Sequence, residues 1–182
     1  MGTIITFPNA ALRIKTEEIK EINGKVKKNM EKLRDVLGKC ANGVGLAATQ
    51  LGWSERMFAM KDLKTGQVEV LINPSIIEVW GDKCFPRIIN AKGQLEEEPF
   101  LEGCLSFPNI FGTVKRYLKI KGKWDGTEKI LEGFEAVVFQ HELDHLNGIL
   151  FTDRVRENKG KLYRLEGENR EELSLQNYLE QF

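Results

Sequence analysis

Apolar residues recur at steps of three or four in the first quarter of the chain. Between residues 16 and 40 the apolar positions are Ile19, Ile22, Val26, Met30, Leu33 and Leu37. Residues at these steps share one face of a helix, so the spacing predicts an amphipathic helix over 16–40. Asn42-Gly43 follows and is expected to end it.

The pattern then changes to short runs that are rich in β-branched and aromatic residues. These runs are 57–60, Val68–Ile72, 76–80, 113–124 and 129–131. Residues 64–67 and Asp125-Gly126 separate neighbouring runs and are typical of hairpin turns, so the runs are predicted to be strands. Residues 81–100 are polar and interrupted by proline and glycine, which predicts a long irregular loop.

Residues 133–147 show the clearest helical pattern. Apolar side chains lie around most of its circumference, at Phe134, Val137, Val138, Phe139, Leu143 and Leu146. A helix with so little polar surface is predicted to be buried. Asn147-Gly148 is expected to end it.

No internal repeat or linker divides the chain, so 1–182 is predicted to be a single domain. A last amphipathic pattern at Leu175, Tyr178, Leu179 and Phe182 predicts a helical extension over about 156–182. Strands gathered around one helix make an α+β fold. We expect mainly antiparallel strands wrapped around the buried helix, with flanking N- and C-terminal helices.

Charge and cysteine content indicate which classes of partner and which cellular compartment to expect. The chain has 27 basic and 27 acidic side chains, which gives no electrostatic case for a nucleic-acid or membrane partner. No apolar run is long enough for a membrane span, and the amino terminus lacks the features of a secretory signal. An opening M-G-x-x-x-T matches a myristoylation pattern only formally. Three cysteines in such a chain are expected to be reduced, which favours a cytoplasmic protein.

Only two histidines occur, His141 and His145, within the buried helix in Q-H-E-L-D-H. Residues four apart lie on one helix face, so both imidazoles can bind one metal ion. Glu142, beside the first histidine, can exchange protons with the water that such a metal activates. A chance H-E-x-x-H usually lies on an exposed helix, whereas polar groups in an apolar helix are costly unless paired or coordinated. Asp144 is open to two interpretations, a buried hydrogen-bond acceptor or a charge at the helix rim.

A catalytic metal usually needs a third protein ligand, and no third histidine exists. Cys104 in L-E-G-C-L-S is one candidate, because Gly103 permits close approach to a ligand. A downstream carboxylate is the alternative, and the candidates are Glu157, Glu166 and Glu168. The residues alone favour Cys104 only modestly. Cys40 and Cys84 are expected to be structural or incidental.

Residues 43–50, G-V-G-L-A-A-T-Q, form a glycine-rich segment. The segment lacks the Lys-Ser/Thr pair of a phosphate-binding loop and follows no convincing strand. A tight, close-packed turn is the favoured interpretation. The alternative is that Gly45 lets a substrate backbone approach while the Gln50 amide donates a hydrogen bond.

Taken together and in this order, segments 43–50, 102–106 and 140–145 resemble the peptide deformylase family, which carries G-x-G-x-A-A-x-Q, E-G-C-L-S and Q-H-E-x-D-H. The resemblance covers most of residues 5–155. It implies a metal-dependent hydrolase that removes the N-terminal formyl group from N-formylmethionyl nascent polypeptides and releases formate. A metallopeptidase and a non-catalytic peptide-binding module are the rival hypotheses.

The resemblance also implies roles, position by position. The residues that match the family's metal ligands are Cys104, His141 and His145. Glu142 matches its general acid/base, and Gln50 with the backbone N–H of Leu105 matches its oxyanion-stabilising pair. The implied cofactor is one divalent metal ion, physiologically Fe²⁺, although Zn²⁺, Ni²⁺ or Co²⁺ can occupy such a site.

The implied substrate is an N-formylmethionyl peptide, expected on nascent chains at the ribosome. An apolar wall suited to a methionine side chain is predicted from Phe134, Val137 and Val138, with Val44 opposite. The peptide is expected to lie extended along Val44, Gly45 and Gly103 as an added strand.

The match to the family is less informative at two positions and in one loop. Arg116 aligns with a basic residue of the family, but a surface role is equally expected. The loop over residues 81–100 is longer than in many family members and is expected to reshape the pocket entrance. Phe111 departs from a stretch that is often more polar, so peptide contacts there are not carried over.

Overall fold

The computed structural model describes residues 3–87, 94–167 and 169–181. Within these ranges the α-helices are α1 Gly24–Lys39, α2 Phe134–Leu146, α3 Phe151–Glu157 and α4 Leu175–Leu179. The strands are β1 Gly45–Ala47, β2 Met57–Lys61, β3 Val68–Ile72, β4 Ser75–Trp80, β5 Glu102–Cys104, β6 Phe107–Gly112, β7 Lys119–Trp124, β8 Thr127–Glu132, β9 Leu162–Glu166 and β10 Asn169–Leu173. Two short 3-10 helices are Ala10–Arg13 and Ala48–Leu51.

The strands form three sheets, with orders β1-β2-β3, β4-β7-β8 and β10-β9-β6-β5. Every neighbouring pair is antiparallel. Asp125 and Gly126 make the predicted turn between β7 and β8, and both have the positive φ that a two-residue hairpin turn requires. The fold is therefore α+β with antiparallel sheets, as predicted.

Helix α2 is buried, as its sequence predicted. It packs against β1, β2, β7 and β8. On this side Phe139 is fully buried and meets the Phe58 ring edge-on, with ring centroids 5.3 Å apart. The helix ends where expected, since Gly148 has φ 72° and the Ile149 N–H donates to the Asp144 carbonyl.

Helix α1 lacks the first part of the helix predicted over 16–40. Asn23 caps it, because its side-chain oxygen accepts a hydrogen bond from the Val26 N–H at 3.1 Å. Upstream, the backbone pairs with distant segments instead, and the Thr16 N–H donates to the Leu146 carbonyl at 2.9 Å. These long-range bonds hold the segment extended, so the prediction was wrong there.

The strand predicted over 113–124 was also partly wrong. Only β7 is a strand within it, and two strands that precede it, β5 and β6, were not predicted. Residues between β6 and β7 extend neither strand, because their backbone groups form hydrogen bonds with other segments. Thr113 donates to the Lys161 carbonyl, and Arg116 exchanges two backbone hydrogen bonds with Cys84, at 2.9 and 3.1 Å.

The extension over 156–182 is not the helical one that was predicted. The chain there forms the β9–β10 hairpin, and only α4 is helical before Phe182, which lies outside the described residues. Strand β9 pairs with β6, which buries Leu162 and Tyr163. The amphipathic pattern at Leu175, Tyr178 and Leu179 is confirmed as α4. The wider helical extension was wrong because β9 pairs with a distant strand.

The described parts of the loop over 81–100 are irregular, as predicted. Cys84 ties its start to Arg116, and near its end the Phe100 N–H donates to the Pro86 carbonyl at 2.7 Å. Residues 88–93 lie outside the described residues. Of the helices described, none has the length and apolar character to span a membrane.

Candidate active site

Helix α2 and the β5–β6 hairpin bring together a thiol and two imidazoles. The ligand atoms of Cys104, His141 and His145 all lie within 4.8 Å of one another. The Cys104 Sγ is 3.2 Å from the His145 Nε2. Both histidines are buried. In the part of the chain that the structure describes, this is the only group of three potential ligands that converges in this way.

The carboxylates weighed as a third ligand lie elsewhere. Glu157 forms an ion pair with Arg154 on helix α3, and its side chain is 55% exposed. Glu166 is exposed at the end of β9. Glu168 lies outside the described residues. The geometry therefore favours Cys104 as the third ligand.

The donor set fits one divalent metal ion. His141 Nδ1 lies 2.7 Å from a carboxylate oxygen of Glu102, which orients the ring and leaves Nε2 available to a metal. Burial holds the pKa of His145 well below its usual value and so favours the neutral imidazole that a ligand must be. Thiolate with imidazole suits several first-row metals, zinc and iron among them.

Cys104 is positioned by the turn of a hairpin. It pairs with Phe107, so Leu105 and Ser106 form the turn between β5 and β6. Gly103 precedes it, and a Cβ at this position would lie 2.5 Å from the ring of Phe111. The glycine is therefore required by the packing of Phe111, a reason that the sequence did not reveal.

The Gln50 side chain is held by hydrogen bonds at both ends of its amide. Its Oε1 accepts from the Ala47 N–H at 2.8 Å, and its Nε2 donates to the Ser106 hydroxyl at 3.0 Å. The same Nε2 is 3.6 Å from the Cys104 Sγ. The amide N–H groups therefore face the cysteine, which favours the donor interpretation of Gln50. Segment 43–50 is a strand followed by a 3-10 helix rather than a simple turn.

The amino-terminal segment joins the two pieces that meet at Gln50. The Ile5 N–H donates to the Gln50 carbonyl at 2.8 Å, and the Phe7 N–H donates to the Ser106 carbonyl at 2.9 Å. Residues far apart in sequence are thus held side by side by main-chain bonds. Ser106 was not singled out by the sequence, although its place in E-G-C-L-S was a signal.

Glu142 is buried beside the histidines. Its Oε2 has no hydrogen-bond partner among the described residues, and burial raises the pKa of this carboxyl to about 7. A Cβ on Gly45 would lie 2.6 Å from the Glu142 Cδ. Gly45 therefore leaves the space that this carboxylate occupies, which differs from the predicted role of admitting a substrate backbone.

Glu102 is the second buried carboxylate, and the sequence did not single it out. Its two oxygens accept from Arg116 Nε and Nη2, at 3.0 and 2.6 Å, and one of them also faces His141. Burial alone would raise the pKa of Glu102, but the charges of Arg116 and His141 hold it far below its usual value. Its position directly before Gly-Cys was the available signal.

Arg116 and Asp144 are both buried, at 3% and 7% exposure. Their ion pair measures 2.5 Å between Arg116 Nη1 and Asp144 Oδ2. The interpretation of Arg116 as a surface residue was therefore wrong, as was that of Asp144 as a charge at the rim. Asp144 accepts hydrogen bonds from arginines rather than from an imidazole.

A cavity of about 520 Å³ opens beside these groups. It is lined by Gln50, Cys104, Leu105, His141 and Glu142 and by all six residues predicted to bind substrate, Val44, Gly45, Gly103, Phe134, Val137 and Val138. Phe111 and Phe100 also line it. Phe100 comes from the end of the long loop and meets Phe134 edge-on, with ring centroids 5.3 Å apart. The one sequence signal for Phe100 was an apolar residue at the end of a polar stretch.

Comparisons with known proteins agree with one another. The family model described as Polypeptide deformylase matches residues 1–161. A peptide deformylase from Thermotoga maritima is 39% identical over 169 residues, which are 90% of this chain and 93% of that protein. The relative from Desulforudis audaxviator is 37% identical over 156 residues, covering 83% of this chain and 91% of that protein.

Solved structures give the same result. The crystal structure of peptide deformylase from Thermotoga maritima superimposes with a TM-score of 0.71 at 37% identity, over 85% of this chain and 97% of that one. A peptide deformylase structure from Plasmodium falciparum has a TM-score of 0.68 at 32% identity, over 86% of this chain and 89% of that one. Both sequence and fold are therefore shared over most of the described residues.

Proposed function

The chain belongs to the polypeptide deformylase family, and from this premise we propose which of its residues perform the reaction. It is a hydrolase of protein biosynthesis that removes the formyl group from the N-terminus of nascent polypeptides. Its substrates are formylmethionyl peptides, and the reaction depends on a single divalent metal ion.

Cys104, His141 and His145 are proposed to hold that ion. The support is the convergence of their three ligand atoms and the orientation of His141 by Glu102. We propose Fe²⁺ as the physiological ion, with Zn²⁺, Ni²⁺ or Co²⁺ able to take its place, because thiolate and imidazole suit all of them. When bound, the ion supplies Lewis acidity, which polarises the formyl oxygen and lowers the pKa of water from about 15.7 toward 7.

Glu142 is proposed to move the protons. Glu142 lines the cavity together with His141, and its buried Oε2 has no hydrogen-bond partner among the described residues. It would first accept a proton as water attacks the formyl carbon and then give that proton to the departing amine. The close approach of Gly45 to the carboxylate keeps it in this position.

Gln50 and the backbone N–H of Leu105 are proposed to stabilise the negative charge that develops on the formyl oxygen. The Gln50 Oε1 is engaged by the Ala47 N–H, so the amide cannot turn its donor away without losing that bond. Leu105 lines the same cavity from the hairpin turn. Donors that are already oriented need no reorganisation during the reaction, which is why they are effective.

The methionine side chain is proposed to occupy the apolar part of the cavity. Phe134, Val137 and Val138 form one wall, and Val44 lies on another. The peptide is proposed to lie along Val44, Gly45 and Gly103, adding to β1, which is an edge strand of its sheet. An unbranched, flexible thioether suits a pocket of mixed aromatic and aliphatic character.

We propose that the enzyme acts on nascent chains at the ribosome, as a single catalytic domain over 1–182 in the cytoplasm. Cys40, Cys84 and Cys104 are all free, which agrees with a reducing compartment. The balance of 27 basic and 27 acidic side chains supports neither a specific nucleic-acid partner nor a membrane partner.

One observation carries the proposal, the convergence of a thiol and two imidazoles beside a cavity that Cys104, His141 and Glu142 line. The test is anaerobic purification, elemental analysis and a formate-release assay on a formylmethionyl peptide, with acetylated and unblocked peptides as controls. We expect one metal ion per chain, with iron predominant, and formate from the formylated peptide alone. Cleavage of an internal bond without formate would support a metallopeptidase, and binding without turnover would support a peptide-binding module.

Cys104→Ala tests the ligand set. Because one of three ligands is lost, we expect the purified variant to contain little metal and to release little formate. Cys40→Ala is the matched control, since this cysteine ends α1 and does not line the cavity. A Cys104→Ala enzyme with full metal content would remove Cys104 from the proposed set.

A further inference from the structure

A chain of buried ion pairs runs from His141 to helix α3. Glu102 accepts from His141, Arg116 binds Glu102 through two nitrogens, and Arg116 also pairs with Asp144. Arg154, on helix α3, completes the chain. Its Nε and Nη2 donate to the two oxygens of Asp144, at 3.0 and 2.6 Å. The last link is thus a two-bond arginine–carboxylate pair, the strongest geometry available to such a pair.

The charges in this series of ion pairs do not sum to zero without Arg154. With His141 neutral, as a metal ligand must be, the buried groups Glu102, Arg116 and Asp144 sum to one net negative charge. Arg154 supplies the missing positive charge, and its side chain is 22% exposed. A buried carboxylate that lacks its partner is strongly disfavoured, so the remaining groups would rearrange to compensate.

Arg116 is the group that would respond. It stands between two carboxylates and binds both, and the Asp144 Oδ2 is shared by Arg116 and Arg154. With Arg154 in place, Asp144 is satisfied by three hydrogen bonds. Without it, Asp144 would draw Arg116 away from Glu102, and Glu102 would lose the support that fixes the His141 ring.

We propose that Arg154 is a positioning residue for the metal centre. It acts through Asp144, Arg116 and Glu102 to hold the His141 imidazole in the orientation that binds the ion. This inference rests on the proposed function, since it takes His141 to be a metal ligand. Arg154 itself does not line the cavity.

Helix α3 does not depend on Arg154 for its place in the fold. Phe151 and Val155 on the same helix are fully buried in the core. Arg154→Met keeps most of the apolar stem and removes only the charged fork, so the helix is expected to stay docked. A change at the metal can therefore be separated from a loss of folding.

The test measures metal affinity directly. Zn²⁺ is titrated into metal-free protein in competition with a chromophoric chelator, for wild type, Arg154→Met and Arg154→Lys. Replacing a side chain that hydrogen-bonds directly to a metal ligand typically weakens metal affinity by about 10–100-fold. Arg154 is farther from the ligand, so we expect Arg154→Met to bind Zn²⁺ about 3–10-fold more weakly. Arg154→Lys keeps the positive charge but lacks the forked guanidinium. Its Zn²⁺ affinity is expected to lie between those of wild type and Arg154→Met.

Arg156→Met is the matched control. Arg156 is exposed on the same helix and forms no ion pair among the described residues, so its replacement is expected to leave Zn²⁺ affinity unchanged. The absorption spectrum of the Co²⁺-loaded proteins gives a second readout. An altered spectrum in Arg154→Met alone would report a changed ligand geometry, which a purely structural role would not produce.

A double-mutant cycle with Glu102→Gln decides whether Arg154 acts through Glu102. If it does, Arg154→Met has little further effect on Zn²⁺ affinity once Glu102 is replaced. Additive losses, or wild-type affinity in Arg154→Met, would overturn the inference. Neither result would affect the proposed function, which fails only if the wild-type protein itself binds no metal or releases no formate.

Discussion

Two glutamates flank the metal-binding histidine candidates, and their surroundings differ completely. Glu102 has both oxygens paired with Arg116 and one also facing His141, and its pKa lies far below the usual value. Glu142 has a buried oxygen without a hydrogen-bond partner among the described residues, and burial raises its pKa to about 7. Burial acts in the same direction on both carboxyls, so the difference comes from the direct contacts that Arg116 and His141 make with Glu102 alone.

The two residues are of the same type, so the groups around each carboxylate decide whether it supports a metal ligand or is available to react. The side of the site around Glu102 is a closed network in which each charge meets an opposite charge. The side around Glu142 is a cavity with apolar walls and a glycine that leaves room for the carboxylate. We therefore expect substitutions on the first side to change metal affinity and those on the second to change turnover.

Replacing Glu142 should produce the largest effect and is the strictest test of this division. In Glu142→Ala we expect kcat for formate release to fall by about 10²–10⁴-fold, the usual contribution of a general acid/base, with metal content unchanged. Elemental analysis and the formate assay measure the two quantities. Glu135→Gln, on the exposed start of the same helix, is the control. Wild-type turnover in Glu142→Ala would contradict the assigned role.

Crowding the same carboxylate should have the next largest effect. A Cβ in Gly45→Ala would meet the Glu142 Cδ at 2.6 Å and push the carboxylate aside. Because a shift of about 1 Å in a catalytic group can cost about 10²-fold, we expect kcat to fall by up to about that factor while metal is retained. Gly38→Ala is the control, since a Cβ there meets nothing within 4 Å. Equal kcat values for the two variants would refute the positional argument.

On the opposite side, Glu102→Gln should weaken metal binding rather than turnover. The amide cannot balance Arg116 and holds the His141 ring less firmly, so we expect Zn²⁺ affinity to fall by about 10–100-fold. With the site saturated by metal, kcat should stay within a few-fold of wild type. Chelator competition and formate release at high metal concentration separate the two effects. A large loss of kcat at full occupancy would show that the two sides are not independent.

The smallest effect is expected at the rim of the cavity. Phe134→Leu removes the edge-to-face contact with Phe100, which also lines the cavity. Such aromatic pairs contribute about 0.5–1.5 kcal/mol, so we expect kcat/KM for a formylmethionyl peptide to fall by about 2–10-fold, mainly through KM. Steady-state kinetics at full metal occupancy measure this, and a fall confined to kcat would argue against a binding role.

Local patterns predicted the parts of the fold that local forces decide. The buried helix α2 and its end at Asn147-Gly148 followed from apolar residues around most of the circumference and from a glycine, which has positive φ. The turn at Asp125-Gly126 followed from the same conformational requirement. The local pattern along the chain is enough to indicate these features.

The errors lie where distant segments pair. The extended segment before α1 bonds to residues at the far end of α2, and β9 joins β6 across the chain. A one-dimensional pattern does not record such partners. The predicted helical extension over 156–182 was therefore right only at α4, because β9 and β10 before it complete a sheet.

For the site, the sequence by itself determined which chemical groups were available. It contained two histidines four apart, one well-placed cysteine and three motifs in a fixed order. Only the tertiary structure decided how those groups are held and charged. The pairing of Glu102, the unpaired oxygen of Glu142 and the space at Gly45 are contacts between segments far apart in the chain. Both pKa shifts follow from those contacts, because burial and neighbouring charges exist only once the chain has folded.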